Sequence, residues 1–190
     1  MKIIVIENLF GEGAPYISLR PDTAILRNND DFYMPFDSAD VRCGVGVVLR
    51  ITRLAKCLDA RFASRCYDDV GVGVAFVECD LLARLRSEGL PAEAAYCFDR
   101  SLAISTEAVA KGDIAEGVVE FSLANELKQI ISLAALKESL DECIARASRL
   151  LTLKTGDVVF VQMPADVKVE AEQSVVVNFD GRELINFQIK

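Results

Sequence analysis

Two stretches in which glycine alternates with apolar residues restrict what this chain can fold into. In Asp40-Val41-Arg42-Cys43-Gly44-Val45-Gly46-Val47-Val48-Leu49-Arg50-Ile51, the side chains Val45, Val47, Leu49 and Ile51 alternate with Gly44, Gly46, Val48 and Arg50. That is the period-two pattern of a β-strand. Gly71-Val72-Gly73-Val74-Ala75-Phe76 repeats it, with Gly71, Gly73 and Ala75 on one face. Glycine weakens a strand interior, so a face bared at successive positions needs a reason. Either backbone or an aromatic ring packs closely there, or a pocket has lost its functional side chains.

The chain has 190 residues, enough to bury a full core, and residues 1–190 read as a single domain. It has no run of about 18 apolar residues, so no transmembrane helix is expected. The opening Met1-Lys2-Ile3-Ile4-Val5-Ile6-Glu7 is too short for a signal peptide and reads as a first strand, so a cytoplasmic protein is expected. The formal net charge of −8 and the absence of a basic stripe argue against nucleic acid as a partner. Cys43, Cys57, Cys66, Cys79, Cys97 and Cys143 form no CxxC pair and no zinc spacing, and read as reduced, small apolar residues.

The chain has no histidine. This removes the usual general base near neutral pH and excludes Ser-His-Asp and Cys-His nucleophiles. Catalysis would have to use carboxylates, Lys, Tyr, Cys or a metal held by oxygen atoms.

Along the chain, strands are expected at residues 2–6, 16–19, 43–51, 70–77, 101–105, 117–123 and 158–161. A terminal hairpin is expected over 173–179 and 182–189 around Asp180-Gly181, a strong turn signal. Helical spacing predicts helices over Leu58–Tyr67, from Asp80 to Gly89, from Pro91 to Tyr96, and over Leu136–Leu151. Leu9 to Pro15 reads as a loop, and Asn125-Glu126 as a tight turn. Strands with interspersed helices and an antiparallel end predict a mixed, β-rich α+β fold.

Several phrases resemble the fumarylacetoacetate hydrolase family, in its order and over essentially the whole chain. They are Arg20-Pro21-Asp22-Thr23-Ala24, the strand at 43–51, Tyr67-Asp68-Asp69-Val70-Gly71-Val72-Gly73, Cys97-Phe98-Asp99, the Asn125 to Gln129 turn, and Leu151 to Phe160. The resemblance implies a β-sandwich or roll with a few flanking helices and a homodimer. It also implies Mg²⁺- or Mn²⁺-assisted hydrolysis, isomerisation or decarboxylation of 2-oxo or 1,3-dicarbonyl acids. Such a cation needs oxygen ligands and acts as a Lewis acid on carbonyl and enolate oxygens. The family takes these ligands from a Glu-x-Glu strand and an Asp on a neighbouring strand. Here the matching positions read Gly44, Gly46 and Ala75, so metal binding is expected to be lost and no cofactor is expected.

Other positions depart as well. Glu12 is followed by Gly13 where the family commonly has His, Tyr96 stands at the catalytic-region Lys, and Gln162-Met163-Pro164 replaces Gly-Thr-Pro. Arg20 stands where a Lys is usual, keeping the charge but not the geometry. Glu12, Arg20, Tyr96, Asp99 and Met163 are therefore the expected residual pocket. Arg20 and Arg42 read either as carboxylate-binding residues or as surface or interface salt bridges. Glu12, Glu78 and Asp80 read as loop and helix-start acids rather than a remodelled site, and Cys97 as a buried thiol.

The expectation is thus an inactive member of the family, serving as a binding or assembly module. Its partners would be a second copy, a small carboxylate or an active paralogue. The alternative is an active hydrolase, isomerase or decarboxylase of 2-oxo or acylpyruvate-type acids with a rebuilt site.

Overall fold

The amino-terminal apolar run forms β1 (Ile3–Glu7), which pairs antiparallel with β2 (Tyr16–Arg20). The computed structural model describes residues 1–9, 13–163 and 167–190, and part of the expected Leu9–Pro15 loop lies outside them. A two-residue β3 (Ile25–Leu26) precedes the glycine strands β4 (Val41–Arg50) and β5 (Asp69–Glu78), which pair antiparallel along their length. Helix α1 (Cys79–Ser87) follows, then β6 (Leu102–Ile104) and the short β7 (Val109–Ala110). A hairpin joins β8 (Val118–Leu123) to β9 (Glu126–Ser132), and α2 (Leu140–Leu150) leads into β10 (Val158–Gln162). The chain closes with β11 (Val167–Lys168), β12 (Ser174–Phe179) and β13 (Arg182–Gln188).

The main sheet is curled and runs β2-β1-β10-β4-β5-β6-β3, with β11 beside β4 and β7 beside β5. Strand β10 is parallel to β1 and antiparallel to β4, so the mixed topology is set at its centre. The second sheet is wholly antiparallel, β13-β12-β8-β9. Together with the flanking helices this is the mixed, β-rich α+β architecture expected above.

Alternation assigns the two faces of the main sheet. Ile4, Ile6, Val45, Val47, Val72, Val74, Val159 and Val161 join the large core, with Phe121, Val177 and Phe179 of the second sheet and Ile144 of α2. Phe32 stacks on Phe76 in that core at 3.7 Å between ring centres. The opposite face carries a smaller cluster of Ile3, Val5, Val48, Ala75, Leu102, Val158 and Phe160.

Local chemistry explains the boundaries that differ from expectation. Helix α2 starts at Leu140 rather than Leu136 because Ser139 and Glu142 form a reciprocal capping box, with Ser139 N donating to Glu142 at 2.7 Å. The segment expected as a helix over Leu58–Tyr67 is a 3₁₀ run, Ala60–Arg65, capped by Asp59. Both hairpin turns use two consecutive positive φ angles, 51° and 63° at Ala124 and Asn125, 48° and 76° at Asp180 and Gly181. Those angles match the right-handed twist of paired strands.

Candidate functional site

The register of the glycine strands places Gly46 opposite Gly73 and Gly44 opposite Ala75. On the other side of β4, Gly46 faces Gln162 of β10. The side chain of Phe160, two residues earlier on the same face, lies over the bare Gly46–Gly73 pair. A Cβ placed on Gly46 would come within 2.7 Å of two Phe160 ring carbons and 2.3 Å of the Val161 carbonyl oxygen. A Cβ on Gly73 would lie 2.9 Å from the Ala103 oxygen and 3.0 Å from the Phe160 ring. One on Gly71 would lie 2.7 Å from Ser105 Oγ. Of the two readings of the glycine faces, close packing against backbone and a ring therefore holds at 46, 71 and 73.

The positions matched to metal ligands do not fit a hard divalent cation. Gly44, Gly46 and Ala75 offer hydrogens and a methyl, and no side chain can be built at 46 while the Val161 carbonyl stands where it does. Among the described residues, no group of three or more Asp, Glu or Cys side chains is placed to hold a metal ion. Asp80 is occupied elsewhere, accepting from Ser38 Oγ at 3.0 Å and Ala39 N at 3.1 Å. The backbone bond from Ala39 leads the contacts that hold its carboxyl below its ordinary range.

Beside the glycine strands the same face opens into a cavity of about 130 Å³. Glu7, Tyr16, Ser18, Arg20, Tyr96 and Gln162 supply its polar lining, and Leu82 and Arg86 of α1 close one side. Arg20 comes from the end of β2, where its neighbour on β1 is Ile3. The residue is 4% exposed, and its guanidinium ties three segments together. Nη1 donates to Ser101 O at 2.9 Å, to Ser101 Oγ at 3.3 Å and to Phe76 O at 3.4 Å. The Tyr96 ring lies 5.7 Å from the guanidinium carbon. Glu7 accepts from Tyr16 Oη at 2.7 Å and from Ser18 Oγ at 3.0 Å.

Burial pushes the Arg20 pKa down to about 10, so the group remains a cation at neutral pH. Burial, with the bond to Glu7, pushes Tyr16 up to about 12, and burial also raises Tyr96. Both phenols keep their protons near neutrality. The lining sets a buried cation beside two protonated phenols, and its arginine and tyrosines are not placed to abstract a proton.

Of the expected pocket residues, the structure brings Arg20 and Tyr96 together. Arg20 is buried and its hydrogen bonds run to carbonyl and hydroxyl oxygens, so it is not a surface salt bridge. Met163 is 1% exposed in the large core, and Gln162 takes its place in the cavity, because alternation along β10 sends Gln162 and Phe160 to the same face. Asp99 is exposed to solvent, while the cavity wall on that side is built by Ala92 and Tyr96. Glu12 lies outside the described residues. Arg42 pairs with Asp40 through two hydrogen bonds of 3.1 and 3.2 Å. The Cys97 thiol donates to Leu19 O at 3.3 Å, and burial raises its pKa despite nearby Arg20.

This architecture is shared with known proteins. The profile of the fumarylacetoacetate hydrolase C-terminal domain matches residues 9–185. The chain belongs to the fumarylacetoacetate hydrolase family. It is 25% identical over 174 residues to oxaloacetate tautomerase YcgM of Escherichia coli (strain K12), covering 90% of this chain and 80% of that protein. The fold is also that of the fumarylpyruvate hydrolase of Pseudomonas aeruginosa, solved with Mn²⁺ and pyruvate. That comparison gives a TM-score of 0.90 at 18% identity, over 100% of this chain and 89% of the other. The 5-carboxymethyl-2-hydroxymuconate delta-isomerase of Mycobacterium smegmatis gives a TM-score of 0.88 at 18% identity, over 99% and 78%.

Proposed function

We propose that this chain is a catalytically inactive member of the family, kept as a binding or assembly module. One observation carries the reading: the Phe160 ring and the Val161 carbonyl occupy the space a side chain at Gly46 would need. A hard cation needs several oxygen ligands, and Gly44, Gly46 and Ala75 offer none. Loss of all three together is physically coherent. Carboxylates crowded without a cation would repel one another and carry a desolvation cost. Tyr96, at the position matched to the catalytic-region Lys, keeps its proton.

The reading takes the protein as a cytoplasmic homodimer, with a small carboxylate or an active paralogue as further partner. The net charge of −8 speaks against nucleic acid. Among the described residues no helix is long and apolar enough to cross a membrane. Leu127 and Ile130 on the edge strand β9 are 54% and 62% exposed and offer apolar surface to a second copy.

The test is turnover. Purified protein with oxaloacetate or an acylpyruvate, with and without added Mg²⁺ or Mn²⁺, is expected to leave the rates of tautomerisation, decarboxylation and hydrolysis at their buffer values. An acceleration above a protein-free control containing the same metal overturns the reading.

A second reading, an active enzyme on 2-oxo or acylpyruvate-type acids with a rebuilt site, is favoured by the open cavity that retains Arg20 and Tyr96. It predicts turnover that disappears in Arg20→Met.

A further inference from the structure

Arg20 is tied to the protein through one edge of its guanidinium. All its hydrogen bonds run from Nη1, to Ser101 and Phe76. Nε is buried without a partner, and among the described residues Nη2 makes no hydrogen bond. Nε–H and Nη2–H together form the side of the fork that grips a carboxylate through two parallel hydrogen bonds. Nearly every buried polar group in a folded protein has a partner, so an orphaned edge on a buried cation marks a place for one.

A second orphan lines the same cavity. The buried Oε1 of Gln162 accepts no hydrogen bond. The Glu7 carboxylate is also on the wall, held by Tyr16 and Ser18. The cavity therefore sets a free guanidinium edge beside the Gln162 oxygen and the Glu7 carboxylate, with Arg86 and Tyr96 completing the polar wall. Its 130 Å³ are small against the roughly 300–1,000 Å³ of pockets that take drug-sized ligands, which suits a small ligand.

We propose that this cavity binds a small carboxylate bearing an N–H or O–H donor on the adjacent carbon, an α-amino or α-hydroxy acid. The carboxylate takes the Nε/Nη2 edge of Arg20, and the donor serves Gln162 Oε1 and the Glu7 side. In the amide orientation the structure shows, a 2-oxo acid lacks this donor and leaves Gln162 Oε1 unpartnered. The inference rests on the reading above that no metal is held here, since a metal would chelate the oxo group and reverse the preference.

Calorimetric titration of metal-free protein with L-alanine, L-serine, L-lactate and pyruvate tests it. At least one donor-bearing acid is expected to bind about fivefold or more tighter than pyruvate, the cost of one unpaired buried polar group. The alanine and lactate arms separate ammonium from hydroxyl recognition. Gln162→Leu is expected to erase the preference while sparing pyruvate, and Arg20→Met to remove binding of all four acids. If Arg20→Met fails to fold, Gln162→Leu alone decides. Pyruvate binding as tightly as the others, a preference unchanged in Gln162→Leu, or no binding by any acid overturns the inference and leaves the inactive reading standing. Binding of pyruvate only after Mn²⁺ is added overturns both.

Discussion

Phe160 and Gly46 are a matched pair: two carbons of the ring lie where they would be 2.7 Å from any Cβ at residue 46. The bare backbone of β4 and the ring carried by β10 specify one another. This contact supports the proposed loss of catalysis, because the ring covers part of the face on which the resemblance places the metal ligands.

Substitution at either partner is expected to be costly. Gly46→Ala forces a methyl to within 2.3 Å of the Val161 carbonyl oxygen, a backbone atom that cannot swing aside. The expected loss is about 3 kcal/mol, the upper part of the usual overpacking range. Gly73→Ala, with its closest approach at 2.9 Å, is expected to lose less. Phe160→Ala is expected to lose about 3–5 kcal/mol through the cavity it leaves. Because the Val161 oxygen remains, Phe160→Ala should not rescue Gly46→Ala. Urea unfolding of the single and double variants checks this, and a Gly46→Ala variant as stable as the parent would contradict it.

Acid sensitivity is expected to trace in part to Asp157. Its Oδ1 accepts from Lys2 N at 3.0 Å and its Oδ2 from Lys154 N at 2.8 Å, and Lys2 Nζ forms an ion pair with it. Burial pushes its pKa up, but the Lys2 and backbone hydrogen bonds outweigh burial and hold it below the ordinary value. A carboxyl depressed in the folded state adds stability that is complete above its unfolded pKa of about 3.9 and is lost as pH falls through the folded value. Asp157→Asn should therefore lower stability at pH 7 by about 1–3 kcal/mol and flatten the further fall in the urea midpoint below about pH 4. Equal acid slopes in parent and variant would refute the assignment.

Thiol chemistry should separate the six cysteines by position. Cys57 is exposed, and Cys43, Cys66 and Cys143 are buried. Burial pushes Cys43 and Cys143 up to about 12, so neither offers thiolate at neutral pH. Labelling with an aromatic disulfide should show a rapid phase that disappears in Cys57→Ser. The three buried thiols should react only on unfolding, and Cys97, whose thiol donates to Leu19 O, should lag behind Cys57. Rapid labelling of Cys97 would show that its environment has been misread.

The strands were legible where pattern and burial coincide. Alternation located β4 and β5, and Asp180-Gly181 announced the last hairpin because both residues accept positive φ. Strand β9 was missed: Glu126-Leu127-Lys128-Gln129 has no clean alternation, it lies at a sheet edge, and a bulge beside Phe121 and Ser122 shifts its register against β8. Arg20 and Tyr96 were legible because the resemblance pointed to their positions. Phe160 and Gln162 were not. Val158 to Val161 is apolar on both faces, so only the pairing of Phe160 with Val48 and of Gln162 with Gly46 reveals which side chains meet the glycines. For the same reason the sequence left open whether a ring packs on the glycines, and the register names Phe160 as that ring.

Metal binding tests the central claim most directly. Thermal unfolding of the protein should be followed with millimolar Mg²⁺ or Mn²⁺ and with a chelator. A site saturated a hundredfold above its dissociation constant would add about 2.7 kcal/mol and raise the melting temperature of a chain this size by about 5–11 °C. The account predicts superimposable curves. A rise of several degrees with either ion, reversed by the chelator, would contradict it.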